Sequence, residues 1–255
     1  MTFSEFAERY IFVRKCAGCG TLIGYEQRKD AFCSSCRVSW ERAKADSCCI
    51  CSQSMIECEC MPKKLSKMGM PFLKKLVAYR SEDAQNAENK VIYFIKRNKN
   101  DRVALFLASQ LSDKVNEILN EIDIEAKDAV LVYIPRSERA VAENGFDQSA
   151  LICSKLAELS KVELLPIIVR RRKRAKEQKM LSAAQRASNV TNLFAVDKDI
   201  KASKRLNGKT VILFDDVVTS GASMAEAYKI LSNSGAKNIY GLCIALTQTK
   251  KLDRS

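Results

Sequence analysis

Two adjacent carboxylates, Asp215 and Asp216, are followed closely by Thr219, Ser220, Gly221 and Ser223. Hydroxyls and backbone N–H groups in a small-residue loop, placed at a helix N-terminus, form a cradle for a phosphate. Carboxylates beside such a cradle repel its ligand unless they face something else, such as sugar hydroxyls or a hydrated Mg²⁺. A sugar phosphate meets both demands. A second chemistry lies near the N-terminus, where nine of the chain's 11 cysteines precede residue 61. Cys16-x-x-Cys19 and Cys33-x-x-Cys36 have the spacing of a four-cysteine zinc site. Cys48-x-x-Cys51 and Cys58-x-Cys60 supply a second set, with Cys49 left over as an alternative to Cys48. Sequential and cross-braced pairing are both open at this point. Four thiolates leave a metal no open position, so these sites read as structural.

The elements that must position these groups can be read from periodicity. Residues 211–214 are an apolar run of the kind found in parallel strands buried on both faces, and the two acids stand where that strand is expected to end. Met224, Ala227 and Leu231 then fall at helical spacing. Residues 129–134 form a second buried strand, closed by Pro135, and Arg136, Ser137 and Arg139 lie in the loop after it. A helix from Phe146 to about Ser160 follows, with Leu151, Ile152 and Leu156 facing inward. Further strands are expected over 76–79 and 239–246. Helices are expected around Val91, Phe94 and Ile95, and from Asp101 through Leu105, Ala108, Leu111 and Val115. The fold class is α/β, with a parallel sheet flanked by helices. A small cysteine-rich zinc-binding module over 1–62 precedes a larger domain over 63–255. Phe32 and Trp40 are expected to form the small core of that module, and Cys153 and Cys243 to be inert buried thiols.

The chain has 255 residues and no histidine. Histidine triads, histidine acid–base steps and mixed Cys/His metal sites are therefore excluded. A formal net charge of +13 favours anionic partners. Residues 170–179 carry seven positive side chains and one negative, which makes Arg170, Arg171, Arg172, Lys173 and Arg174 candidate nucleic-acid contacts, or part of a lid over a phosphorylated ligand. No apolar run approaches the roughly 18–20 residues of a transmembrane helix, and the N-terminal stretch lacks the order of a signal peptide. The expected location is cytoplasmic, where disulfides are disfavoured.

The whole of residues 211–223 resembles the PRPP (phosphoribosyl pyrophosphate) motif of type I phosphoribosyltransferases: four apolar residues, two acidic, then Thr-Ser-Gly-x-Ser. The resemblance implies that Asp215 and Asp216 are the catalytic pair holding the ribose hydroxyls, with Mg²⁺ bridging the pyrophosphate. Thr219, Ser220, Gly221 and Ser223 would bind the 5′-phosphate, and Arg136, Ser137 and Arg139 would form the pyrophosphate loop. Gly145-Phe146-Asp147-Gln148, the order Gln178, Leu181-Ser182, Arg186, Asn189, and the cysteine pairs narrow the likeness. Together they are similar to the ComF-type late-competence family, which joins a zinc-binding module to a phosphoribosyltransferase domain. That family has Gly-Phe-Asn-Gln, nine residues after a proline; here the spacing from Pro135 is kept and Asp147 replaces the asparagine. The resemblance implies structural Zn²⁺ on Cys16, Cys19, Cys33, Cys36, Cys48, Cys51, Cys58 and Cys60. It implies partners that include PRPP or a nucleotide-like ligand, single-stranded DNA and proteins of a DNA-uptake machinery. The expected role is in natural transformation; a phosphoribosyltransferase of base salvage is the alternative.

Overall fold

The computed structural model describes residues 2–80, 86–171, 193–197 and 204–248. An apolar run that hides both faces belongs at the centre of a sheet. Strand β9 (Thr210–Val218) accordingly lies between β5 (Ala129–Tyr133) and β10 (Asn238–Thr247), parallel to both. β6 (Glu163–Leu164) extends the sheet beyond β5, and β3 (Leu73–Lys74) and β4 (Val77–Tyr79) pair with β10 at the opposite edge. Every pairing in this sheet is parallel.

Strand alternation decides which layer each side chain enters. Ile212 and Phe214 point into the layer built by α5 (Asp101–Glu121) and α7 (Gln148–Ser160). Val211 and Leu213 point the other way, into the layer containing Met224, Ala227 and Leu231 of α8 (Ala222–Ser232). Helix α4 (Ala87–Arg97) buries Val91 and Ile95 as its spacing predicts. In α5 the buried stripe runs through Ala104, Ala108, Leu111 and Val115, whereas Leu105 is 47% exposed. One position is about 100° of helix rotation, enough to carry Leu105 off the core face.

Two sequence expectations are revised. The first concerns β9, which continues through both acids to Val218. Its pairing with β5 ends at Tyr133 opposite Phe214: Ile134 N–H still donates to the Phe214 carbonyl, but Pro135 has no N–H with which to continue the ladder. Its pairing with β10 persists to Leu246 opposite Val218. The sheet is therefore notched on one side of Asp215 and Asp216.

The second concerns the core of the cysteine-rich residues. Helix α2 (Ser34–Ala45) packs against α4 and β4, and Phe32 and Trp40 meet Phe106 of α5 with ring centroids 5.1 and 5.6 Å apart. Their core is continuous with the sheet's helical layer. Among the described residues no helix is long and apolar enough to cross a membrane.

Candidate functional site

The notch beside β9 is a hollow of roughly 300 Å³. Its lining includes Lys96 at the end of α4, Arg136 and Ser137 after β5, Gln148 at the start of α7, and Arg170. Asp215, Asp216 and Ser223 complete the side formed by β9 and α8. A smaller hollow of about 60 Å³ adjoins it, formed by residues 217–224 with Asp215. Asp215 and Ser223 line both, so the carboxylate edge and the hydroxyl loop share one continuous depression. Thr219 and Ser220 are exposed.

The two acids differ in their surroundings. Asp216 is 6% exposed; its Oδ2 accepts from Gln148 Nε2 at 2.6 Å and lies 3.2 Å from Lys96 Nζ. Asp215 Oδ1 accepts the Asp216 N–H at 2.9 Å. Burial, and then the charge of Asp216, hold the Asp215 carboxyl well above the ordinary range, with Lys96 and Arg170 opposing. Asp216 is thus bound into the protein by two side-chain partners, while Asp215 is the less buried of the two acids.

Local folding explains how the other groups are held. Asp147 caps α7 by accepting the N–H groups of Ser149 and Ala150 on Oδ1, and its Oδ2 accepts Arg136 N–H at 2.7 Å. Both oxygens accept, a task an asparagine can perform on one side only. Aspartate at this position therefore ties the loop after β5 to α7. Ser137 caps α6 (Glu138–Asn144), accepting from Ala140 N–H. Arg136 donates to the Lys96 carbonyl at 2.6 Å. Arg139 stands apart: its side chain is 89% exposed, pairs with Glu143 at 2.7 Å and does not line the hollow.

Arg170 ends β7 (Ile168–Arg170), which pairs with β8 (Phe194–Val196). It donates to the Pro135 carbonyl and lies 4.8 Å over the Phe194 ring, facing the acids rather than an open surface. Arg171 is exposed. Arg172, Lys173 and Arg174 lie outside the described residues, as do Gln178, Leu181, Ser182, Arg186 and Asn189. Sequence reasoning gave no role to Lys96, and none to Gln148 beyond its place in a motif. A lone lysine at the end of a helix carries no signal of its own.

Gly221 has φ +72°, and a Cβ there would stand 3.0 Å from Leu65 Cγ and 3.2 Å from Pro62 Cβ. The loop thus rests on α3 (Lys63–Ser66) and the proline before it. Gly221→Ala is expected to cost about 1–3 kcal/mol in urea unfolding through combined strain and crowding. Unchanged stability would remove the constraint.

The cysteines form two sequential groups: Cys16, Cys19, Cys33, Cys36 and Cys48, Cys51, Cys58, Cys60, each with its sulfurs within 4.8 Å of one another. The sequence alternative is settled in favour of Cys48 over Cys49 in the second group. All eleven cysteines are free of disulfides. The donor geometry suits zinc, since a tetrahedral ion with Zn–S near 2.3 Å sets sulfurs about 3.8 Å apart; Cys19 and Cys33 lie 3.7 Å apart. Backbone N–H groups of Gly18 and Cys33 point at Cys16 Sγ, and that of Ile50 at Cys48 Sγ, a second shell that favours thiolate. A Cβ at Gly18 would lie 2.7 Å from Cys36 Sγ, so this turn closes only with glycine. Cys153 and Cys243 are fully buried, and burial pushes the Cys243 thiol up to about 12.

Lys75, between β3 and β4, is fully buried and was not singled out from sequence. Its ammonium donates to the carbonyls of Cys58, Cys60 and Leu73. Among the described residues it has no carboxylate in ion-pair reach. A buried charge needs compensation, and a divalent ion held on the four thiolates of the second group would carry two net negative charges beside it. Burial pushes the Cys58 thiol up to about 11, with Lys75 opposing. Lys75→Met is expected to destabilise the chain by about 2–4 kcal/mol. It should also release one metal equivalent to a competing chelator before the other. Simultaneous release of both would count against the pairing.

The chain matches the family model described as phosphoribosyl transferase domain over residues 140–254. It is 26% identical over 157 residues to DNA utilization protein YhgH of Shigella flexneri. That match covers 62% of this chain and 66% of that protein, so the chain spans just under two thirds of its length. It is also 26% identical over 239 residues to Competence protein ComFC of Streptococcus pneumoniae, covering 88% of this chain and 96% of that one. Among solved structures, a purine phosphoribosyltransferase from Pyrococcus horikoshii shares 16% identity, over 55% of this chain and 74% of that one, with a TM-score of 0.34. Cysteine tetrads ahead of a parallel sheet, the family match beginning at residue 140 and an alignment to ComFC along most of both chains converge in support of a ComF-type family.

Proposed function

We propose that this chain binds PRPP, or a related 5′-phosphorylated ribose, together with Mg²⁺ in the notch beside β9, and that it handles single-stranded DNA during DNA uptake in natural transformation. The observation that carries the ligand reading is the shared depression, in which Asp215 faces both the cationic side and the hydroxyl loop. Residues 219–223 take the 5′-phosphate at the start of α8, where N–H groups and hydroxyls converge. Asp215 orients the ribose hydroxyls, and Asp216, fixed by Gln148 and Lys96, holds the backbone turn and the charge balance of the site. Arg136 and Arg170 sit where a diphosphate needs neutralising, a task guanidinium groups perform well. Mg²⁺, when bound, supplies further neutralisation of the pyrophosphate oxygens. The two cysteine groups hold structural zinc. The DNA part of the reading rests on the names of the relatives and on the chain's basic charge.

Calorimetric titration of the zinc-loaded chain with PRPP in Mg²⁺ buffer tests the ligand reading. One saturable site per chain is expected, competed by ribose 5-phosphate. No binding at millimolar PRPP would overturn it.

A further inference from the structure

Of the positive segment that sequence alone singles out, the described residues are Arg170, which is turned into the acidic notch, and Arg171, which is exposed. A different basic cluster is assembled by the fold. Arg14 lies on β1 (Arg14–Lys15), and Arg28 and Lys29 follow the short turn at residues 25–27. Lys99 and Arg102 lie at the start of α5. These five cations line one cleft of about 610 Å³, with Asp101 as the only carboxylate in its lining. Arg102 fastens the two sides by donating to the Asp30 and Lys15 carbonyls, which ties the cysteine-rich residues to α5.

Among the described residues Arg14, Lys29 and Lys99 have no ion-pair partner. Like charges gathered in a concave surface raise the local positive potential, and an anion relieves it. A second hollow of about 230 Å³ continues past Arg14, Arg28 and Lys29 to Glu8 of α1 (Phe3–Tyr10). Aromatic rings stand beside its lining residues rather than in its lining: Arg28 lies 3.9 Å over the Tyr25 ring, Arg9, next to Glu8, lies over both Tyr25 and Tyr10, and Phe6 and Tyr10 are paired at 5.1 Å. Phe3, Phe6, Tyr10 and Phe12 are all exposed.

We infer that this cleft, at the junction of the cysteine-rich residues and α5, is a binding track for single-stranded nucleic acid. Its cations contact successive phosphates, and the exposed rings of α1 offer faces for unpaired bases. A cationic groove beside sequence-tolerant stacking surfaces is the combination that binds single strands. A duplex keeps its bases stacked inside and has no use for the rings. The inference deepens the DNA part of the proposed function and rests on it.

The test uses the full zinc-loaded chain and a fluorescent 20-nucleotide oligo(dT), with anisotropy measured over a series of NaCl concentrations. Arg14→Ser, Lys29→Ser and Lys99→Ser are combined in one variant. The control is Lys204→Ser, Lys229→Ser and Lys237→Ser, which removes the same charge from exposed positions elsewhere. Zinc content and circular dichroism verify that both remain folded. The cleft variant is expected to bind at least tenfold more weakly near 100 mM salt. Its slope of log affinity against log salt should fall by about two, since each lost phosphate contact on a single strand contributes about 0.7. The control should change neither by more than about twofold. Equal losses in both variants, or an unaffected cleft variant, would overturn the site while leaving DNA binding itself standing. No binding by the unaltered protein at low salt would remove the DNA reading and the site together. Displacement of the oligonucleotide by millimolar inorganic phosphate at constant ionic strength, without dependence on strand length, would assign a single-phosphate pocket instead and also overturn the track.

Discussion

Stripping the metal with a strong chelator is expected to shift the tryptophan emission to the red and to lower the melting temperature of the whole chain by on the order of 10 °C or more. Trp40 is the sole tryptophan, and it is fully buried, so its fluorescence reports directly on the cysteine-rich residues. Structural zinc contributes about 10–16 kcal/mol to small modules that cannot fold without it. Here the loss also propagates. Phe32 and Trp40 pack on Phe106, and the same apolar layer continues to Ile212 and Phe214 beneath the site. Losing the first cysteine group therefore exposes one side of α5. Cys33→Ser, which removes one ligand and leaves the others, should reproduce the emission change without chelator. An unmoved emission maximum together with an unchanged melting temperature would show that the cysteines are dispensable to the fold.

Asp215→Asn is expected to weaken binding of PRPP with Mg²⁺ by on the order of 100-fold, roughly 2.7 kcal/mol, while leaving the fold at least as stable. Its sign follows from the local electrostatics. Burial and the neighbouring Asp216 raise the Asp215 carboxyl above its unfolded value. Ionised Asp215 therefore costs stability above its folded pKa, and that cost disappears as pH falls through it. Asparagine resembles the protonated state, so the variant should gain stability relative to the parent at high pH, with the gain fading on acidification. Ligand affinity should follow the opposite course in the parent: a ribose or hydrated cation that needs the ionised acid binds more tightly as pH rises through the same range. Calorimetry at three pH values reads both trends. A pH-independent affinity that survives the substitution would take Asp215 out of the site. Asp216→Asn is the poorer probe, because it also disturbs the contacts with Lys96 and Gln148 and mixes a stability loss with any binding loss.

Much of the architecture was legible because it depends on local pattern. A four-residue apolar run flanked by turn formers reads as a central parallel strand wherever it occurs. Paired Cys-x-x-Cys segments announce their chemistry by spacing alone. The acids, the hydroxyl loop and the proline that stops β5 were visible for the same reason. What could not be read was the inequality of Asp215 and Asp216, which are adjacent and chemically identical in the chain. Their difference comes from Lys96 and Gln148, 120 and 68 positions away from Asp216. Nor could the placement of Arg170 and Arg139 be read: Arg170, from the segment read as a nucleic-acid contact or a lid over a phosphorylated ligand, lines the notch, while the Arg139 side chain is largely exposed.

The sequence by itself determined the fold class, the ComF-type resemblance and the grouping of cysteines into sets able to hold a metal, since residue type and short-range spacing encode all three. Tertiary structure alone decided which cations share a cavity and that the buried Lys75 ammonium donates to the carbonyls of Cys58 and Cys60. It also decided that the cysteine-rich residues and the sheet's helical layer form one continuous core. The physical reason is that electrostatic and packing energies depend on distance in space, and chain separation is silent about that distance until the sheet is assembled.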